Sequence, residues 1–136
     1  MSQENVETFK RSTDVFNRGD IDAWLEEFID PEIEWHSALP GLLTQAGTVY
    51  RGHEGVREML REIAEVLDEM TAEYSEIHEV GDRVVGIGQI HTRGRASGVA
   101  TDGPFALLGD YRNGKTIRVR TYIDPNEALE AAGLRE

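Results

Sequence analysis

Apolar positions in the first third of the chain recur every three or four residues. Val6, Phe9 and Phe16, with Thr13 between them, make such a stripe. That spacing predicts an amphipathic helix, with Ser2 as its N-cap and Gly19 as its stop. Asp20 is placed to cap a second helix carrying Ile21, Trp24, Leu25, Phe28 and Ile29, a full i, i+3, i+4, i+7, i+8 face. Pro31 ends it, because proline lacks an N–H and forces its predecessor out of helical geometry. From Glu32 to Ser37 the period falls to two, with Ile33 and Trp35 on one face and Glu34 and His36 on the other, the signature of a short strand. A loop holding Pro40, Gly41 and Gly47 follows. A third helix is then expected from about His53, with Val56, Met59, Leu60, Ile63, Leu67 and Met70 on one side and charged residues on the other.

The second half reads mainly as strand. Thr71 to Val80 is a weak candidate, Gly81-Asp82 a turn, and Arg83 to about Arg95 a long strand. Gly98, Asp102, Gly103 and Pro104 mark a loop. Phe105 to Arg112 and Lys115 to Ile123 flank Asn113-Gly114, a hairpin signal because both turn positions need positive φ. Asp124, Pro125 and Glu127 open a short final helix in a capping-box arrangement. Helices gathered on one side of an antiparallel meander predict an α+β fold in one domain over 1–136. A curved, mostly antiparallel sheet wrapped on the three helices of the N-terminal half leaves an internal pocket, the usual place for a small molecule.

Charge narrows the function. The chain has 136 residues with 14 basic and 26 acidic side chains, a net of −12, which opposes binding to nucleic-acid phosphates or an anionic membrane. Cysteine is absent, so disulfides, thiol nucleophiles and thiolate metal sites are excluded. The polar start at Met1 has no signal-peptide pattern, and no apolar run approaches the roughly 18 residues of a membrane helix. The expected location is cytoplasmic.

Several stretches together resemble the SnoaL-like branch of the nuclear-transport-factor-2-like (NTF2-like) superfamily, which includes polyketide cyclases, limonene epoxide hydrolase and ketosteroid isomerase. They are Phe16-Asn17-Arg18-Gly19-Asp20, Asp30-Pro31-Glu32-Ile33-Glu34-Trp35-His36, Tyr50-Arg51-Gly52-His53-Glu54-Gly55-Val56-Arg57, Gly81-Asp82-Arg83-Val84-Val85, Asn113-Gly114-Lys115 with Arg118-Val119-Arg120, and Tyr122-Ile123-Asp124 with Glu127-Ala128-Leu129. The resemblance implies a cystatin-like cone, a pocket between sheet and helices, and a homodimer packed through the sheet. It does not carry over the catalytic groups. Trp35, Ser12 and Ala106 stand where ketosteroid isomerase has its base, its tyrosine and its protonated aspartate. Gln89, His91 and Thr121 stand where limonene epoxide hydrolase has its arginine and two aspartates.

Candidate chemistry therefore rests on what remains. His91, with an unperturbed pKa near 6.5, is the candidate acid or base, with Gln89 beside it on one strand face and Thr121 orienting a substrate. Trp35 and Trp24 offer aromatic walls; Met59, Ile63 and Val119 complete the pocket, and Tyr50 is placed to gate its mouth. Arg118, Arg120 and Tyr122 share the other face of the last strand and suit an interface. The four histidines show no metal-ligand spacing, and Gly52 and Gly55 make no phosphate loop, so no metal or cofactor is expected. Two functions stand side by side: a cofactor-independent isomerase, cyclase or hydratase acting on a small apolar substrate, and a non-catalytic ligand-binding or dimerisation module.

Overall fold

The computed structural model describes residues 2–37 and 49–134. The side chain of Ser2, and with it the expected cap, falls outside that set, as does the loop of Pro40, Gly41 and Gly47. The elements run α1 (Ser2–Asn17), α2 (Ile21–Phe28), β1 (Ile29–His36), β2 (Val49–Arg51), α3 (Gly52–Val66), β3 (Leu67–Val80), β4 (Arg83–Gly94), β5 (Ala100–Arg112), β6 (Lys115–Tyr122) and α4 (Pro125–Ala131).

The punctuation behaves as its chemistry requires. Gly19 takes φ +82° after α1, and Asp20 Oδ1 accepts from the Ala23 N–H at 3.3 Å to open α2. Asn113 and Gly114 both adopt positive φ between β5 and β6. Asp124 opens α4 by accepting from the Asn126 N–H at 2.9 Å, with Pro125 in the first turn.

Four boundaries differ from expectation. Strand β5 begins at Ala100, so Asp102, Gly103 and Pro104, expected in a loop, lie in a strand paired with His91, Ile90 and Gln89 of β4. The second helix stops at Phe28, and Pro31 lies inside β1. It occupies the stretch where pairing between β1 and β6 slips between Ile29 and Glu34, so its missing N–H costs no ladder bond. The third helix ends at Val66 rather than carrying Leu67 and Met70; those two open β3, which pairs antiparallel with β4 from Leu67 to Val80. Long-range pairing outweighs the local helical stripe there. Tyr50 belongs to a short strand, β2, antiparallel to β1.

The six strands form one sheet in the order β2-β1-β6-β5-β4-β3. All neighbours are antiparallel except β1 and β6, which are parallel, so the sheet is mixed rather than a plain meander. Helices α1, α2 and α3 cover its inner face. Phe28, Ile29, Ile33, Val56, Met59, Ile63 and Val119 form the main core there. On the outer face α4 packs Ala128 and Ala132 against Val85, Ile87, Ala106 and Leu108.

Candidate functional site

Between helices and sheet lies a cavity of about 90 Å³. Helix α1 contributes Phe9, Ser12, Thr13 and Phe16, and α2 contributes Trp24. Trp35 of β1 and Met59 and Ile63 of α3 form a second wall, while Thr116, Val119 and Thr121 come from β6. The sheet floor is Tyr74 of β3, Ile90 of β4 and Phe105, Leu107 and Tyr111 of β5. Ring packing braces this wall. Phe16 and Trp24 lie 5.0 Å apart between centroids, and Trp24 and Trp35 meet edge-on at 5.7 Å. Trp24 Nε1 donates to Ser12 Oγ at 3.0 Å, so the indole N–H has a partner inside an apolar environment.

Among the described residues no Asp, Glu, His, Lys or Arg lines this cavity. The segment 38–48 carries none in its sequence either. The titratable groups at the wall are two phenols. Burial pushes the Tyr74 phenol well above the ordinary tyrosine range, with the nearby Tyr111 adding to it. Burial likewise pushes Tyr111 up to about 12, partly offset by the Thr116 hydroxyl. Both remain neutral hydrogen-bonding groups at any physiological pH.

Of the residues singled out from sequence, Trp24, Trp35, Met59, Ile63, Val119 and Thr121 line the cavity. Thr116 lines it too, although it lies an odd number of residues from both Val119 and Thr121, which strict alternation would not allow. The pairing of β5 with β6 slips between Thr116 and Arg118, and that bulge turns Thr116 inward.

Three others lie elsewhere. His91 and Gln89 are on the outer face of β4. Gly86 pairs with Leu107, Gly88 with Phe105 and Ile90 with Gly103, and directly paired residues share a face. The inward positions of β4 are therefore Val84, Gly86, Gly88 and Ile90, and the outward ones Val85, Ile87, Gln89 and His91. The polar pair was expected inside because the resemblance sets it where limonene epoxide hydrolase has site residues, and the glycines give the opposite face no hydrophobic signature to correct that. The glycines are needed there. A Cβ at Gly86 would lie 2.5 Å from Phe9 Cζ, and one at Gly88 would overlap the Glu73 carbonyl oxygen. Ala106 is outward for the same reason, under α4; its inward neighbours Phe105 and Leu107 also carry no carboxyl group.

His91 instead bridges two carboxylates, Nδ1 to Asp102 Oδ1 at 2.6 Å and Nε2 to Glu73 Oε1 at 3.1 Å. The bond to Asp102 and then that to Glu73 favour the charged imidazolium and raise its pKa above 6.5. Tyr50 is buried, but its hydroxyl donates to Glu62 Oε1 at 2.8 Å and it does not reach the cavity. His53 bonds the Ile29 carbonyl at 2.7 Å, and His36 and His78 face Glu34 and Glu76. On the outer face Arg118 is exposed, while Arg120 and Tyr122 are half-buried, Tyr122 against the α4 cluster.

A second hollow, a groove of about 430 Å³, runs along α1 and the edge strand β3. It shares Phe9, Thr13, Thr71, Ala72 and Tyr74 with the cavity, and Lys10, Asp14, Asn17, Glu73 and His91 form its rim. Among the described residues no helix is long and apolar enough to cross a membrane.

An α+β cone with an apolar hollow between three helices and a curved sheet defines the NTF2-like class, and solved structures share it. An NTF2-like protein of Burkholderia pseudomallei superposes with a TM-score of 0.78 at 22% identity, covering 93% of this chain and 95% of that one. TerC, co-crystallised with polyporic acid, superposes with a TM-score of 0.79 at 27% identity, covering 96% and 98%. A SnoaL-like polyketide cyclase, so described, of Jannaschia sp. CCS1 gives 0.73 at 19% identity, covering 99% and 95%. The SnoaL-like domain model matches residues 9–120, and the chain belongs to that family. A search of curated proteins finds no match.

Proposed function

We propose that this SnoaL-like domain holds a small, uncharged, largely apolar molecule in the cavity between its helices and sheet. The observation that carries this reading is the composition of the wall: rings, aliphatic side chains and hydroxyls, with no charged group among the described residues. An ion would lose its hydration there without a counter-charge, whereas a neutral ring loses little. A hollow of about 90 Å³ is smaller than the roughly 150 Å³ apolar cavity that admits benzene. Any larger occupant must displace side chains, and the unbranched Met59 and Met70 at the wall are suited to that. TerC was crystallised with polyporic acid, which supports ligand binding as the use of this fold.

Acid–base catalysis through His91 loses its basis, because that imidazole does not line the cavity and is held by Asp102 and Glu73. The isomerase or cyclase reading keeps one support: two neutral phenols, Tyr74 and Tyr111, that could polarise a bound carbonyl by hydrogen bonding.

Both tryptophans of the chain, Trp24 and Trp35, line the cavity, so their emission reports occupancy. Titration with toluene is expected to give a saturable emission change and a rise in Tm, since a ligand of the native state stabilises it. Ile90→Phe, which fills the hollow, should abolish both and His91→Ala neither. No saturable change with toluene, cyclohexanone or indole would overturn the reading.

A second copy of the chain, seated on the outer sheet face at Arg118, Arg120 and Tyr122, is proposed on the same footing. Neither arginine forms an ion pair among the described residues, and α4 leaves Arg118 exposed. Sedimentation at twice the chain mass, reverting to the chain mass in Arg118→Glu/Arg120→Glu, is the expected result.

A further inference from the structure

The hydroxyls around the cavity are mostly accounted for. Ser12 accepts from Trp24, Thr13 Oγ1 donates to the Phe9 carbonyl at 3.0 Å, and the Tyr111 phenol sits against Thr116. Tyr74 differs. Its ring is fixed against Phe9, with centroids 4.9 Å apart and planes at 62°, and it lies across Gly86, where a Cβ would be 2.8 Å from its Cδ1. Yet its hydroxyl has no hydrogen-bond partner among the described residues; only burial and the neighbouring Tyr111 phenol act on it. The side chain is half-buried, and its hydroxyl is not among the fully buried polar atoms that lack a partner, so it borders accessible space and is free to donate to a ligand.

Its position adds a second observation. Phe9, Thr13 and Asn17 stand at i, i+4 and i+8 on α1 and turn one face toward β3. Phe9 meets Tyr74 at one end of this seam. Asn17 closes the other, giving Nδ2–H to the Ala72 carbonyl at 2.8 Å and accepting the Ala72 N–H at 3.0 Å. Thr13, the short residue between them, borders both the cavity and the groove outside. Tyr74 thus stands at the partition, with its ring held and its polar end unused.

We propose that Tyr74 is a specificity-determining residue of this cavity, its hydroxyl reading a carbonyl or hydroxyl oxygen on a neutral cyclic ligand whose hydrocarbon part fills the remaining space. The proposal rests on the cavity being a ligand site. The uncharged wall selects a neutral molecule, and a phenol that keeps its proton at physiological pH selects an oxygen acceptor at one end. Ionic headgroups, whether carboxylate or ammonium, have no counter-charge there.

The test compares cyclohexanone with methylenecyclohexane, which differ in shape only by C=O against C=CH₂. Binding of each is measured calorimetrically to the full chain and to Tyr74→Phe. That substitution removes one oxygen and keeps the ring contact with Phe9. Tyr74→Phe is expected to weaken cyclohexanone about five- to tenfold, the range of one neutral hydrogen bond, while changing methylenecyclohexane less than twofold. Equal effects on both probes, or none on the ketone, would overturn the role of Tyr74 and leave the cavity reading intact. Failure of both probes to bind the unaltered chain would overturn both. A Tm for Tyr74→Phe close to that of the parent separates a lost contact from a lost fold.

Discussion

His91 illustrates how far one residue's surroundings decide its chemistry. On the outer sheet face it links three strands, with Glu73 on β3 and Asp102 on β5 holding its two nitrogens. Its folded pKa is raised above the unperturbed 6.5. Below pH 6.5 the imidazole is charged in both folded and unfolded chains, so the stabilisation by Glu73 and Asp102 is fully present. As pH rises through the folded pKa the native state loses its proton and that contribution disappears. Urea denaturation should therefore show stability falling as pH is raised from about 6.5 through the folded pKa. In His91→Ala this part of the pH dependence should vanish, and an NMR titration of the imidazole should give a midpoint above 6.5. At the same scale the sequence named Trp24, Trp35, Met59, Ile63, Val119 and Thr121, all of which line the cavity. Tyr74 was passed over because it lies in a stretch whose weak alternation hides a bulge. The pairing of β3 with β4 slips between Tyr74 and Glu76, so the residues before and after it alternate in opposite phase.

Among the elements, β4 is where pattern reading and structure part company. Its inward face is made hollow by glycine, and a strand whose buried side bears hydrogen atoms in place of side chains has no apolar period to find. Replacing Gly88 with alanine forces a methyl group onto the Glu73 carbonyl, a backbone contact that can yield only by unpairing β3. We expect a loss of about 3 kcal/mol or more, read as a shifted denaturation midpoint. The seam between α1 and β3 tests a different term. Asn17→Ala removes two hydrogen bonds to Ala72 and should cost roughly 1–2 kcal/mol. Hydrogen exchange at the Ala72 amide should accelerate more than that in β5. The end of α3 depends on tertiary contact too. Arg95, far along the chain, donates through Nε to the Ala64 carbonyl at 2.8 Å, and its own N–H meets the Val66 carbonyl at 2.9 Å. These groups satisfy helix-end carbonyls that a local reading would have paired by continuing the helix through Leu67 and Met70.

For the whole molecule, the cavity is a trade between packing and room. Met59 is 3% exposed and faces the hollow, so Met59→Ala should cost roughly 2–5 kcal/mol and enlarge the space. A bulkier hydrocarbon such as naphthalene should then bind more tightly than to the parent chain, a gain that calorimetry would show. If affinity for naphthalene falls instead, the wall opposite Met59 is not where ligands grow.

The one-dimensional pattern was enough for the existence of the three helices of the first half, the Asp20 and Asp124 caps, the Asn113-Gly114 hairpin and the wall residues Trp24, Trp35, Met59, Ile63, Val119 and Thr121. Each of these is set by neighbours within a few positions: a 3.6-residue stripe, an N-cap carboxylate, a positive φ. The parallel pairing of β1 with β6, the extension of β3, the bulges, and the inward phase of β4 were settled only when distant strands paired. A one-residue change of phase moves every side chain to the opposite face, and no local interaction penalises it. That is why part of the wall was legible from the chain alone, while the place of Tyr74 and the side of the sheet on which His91 and Gln89 stand were not.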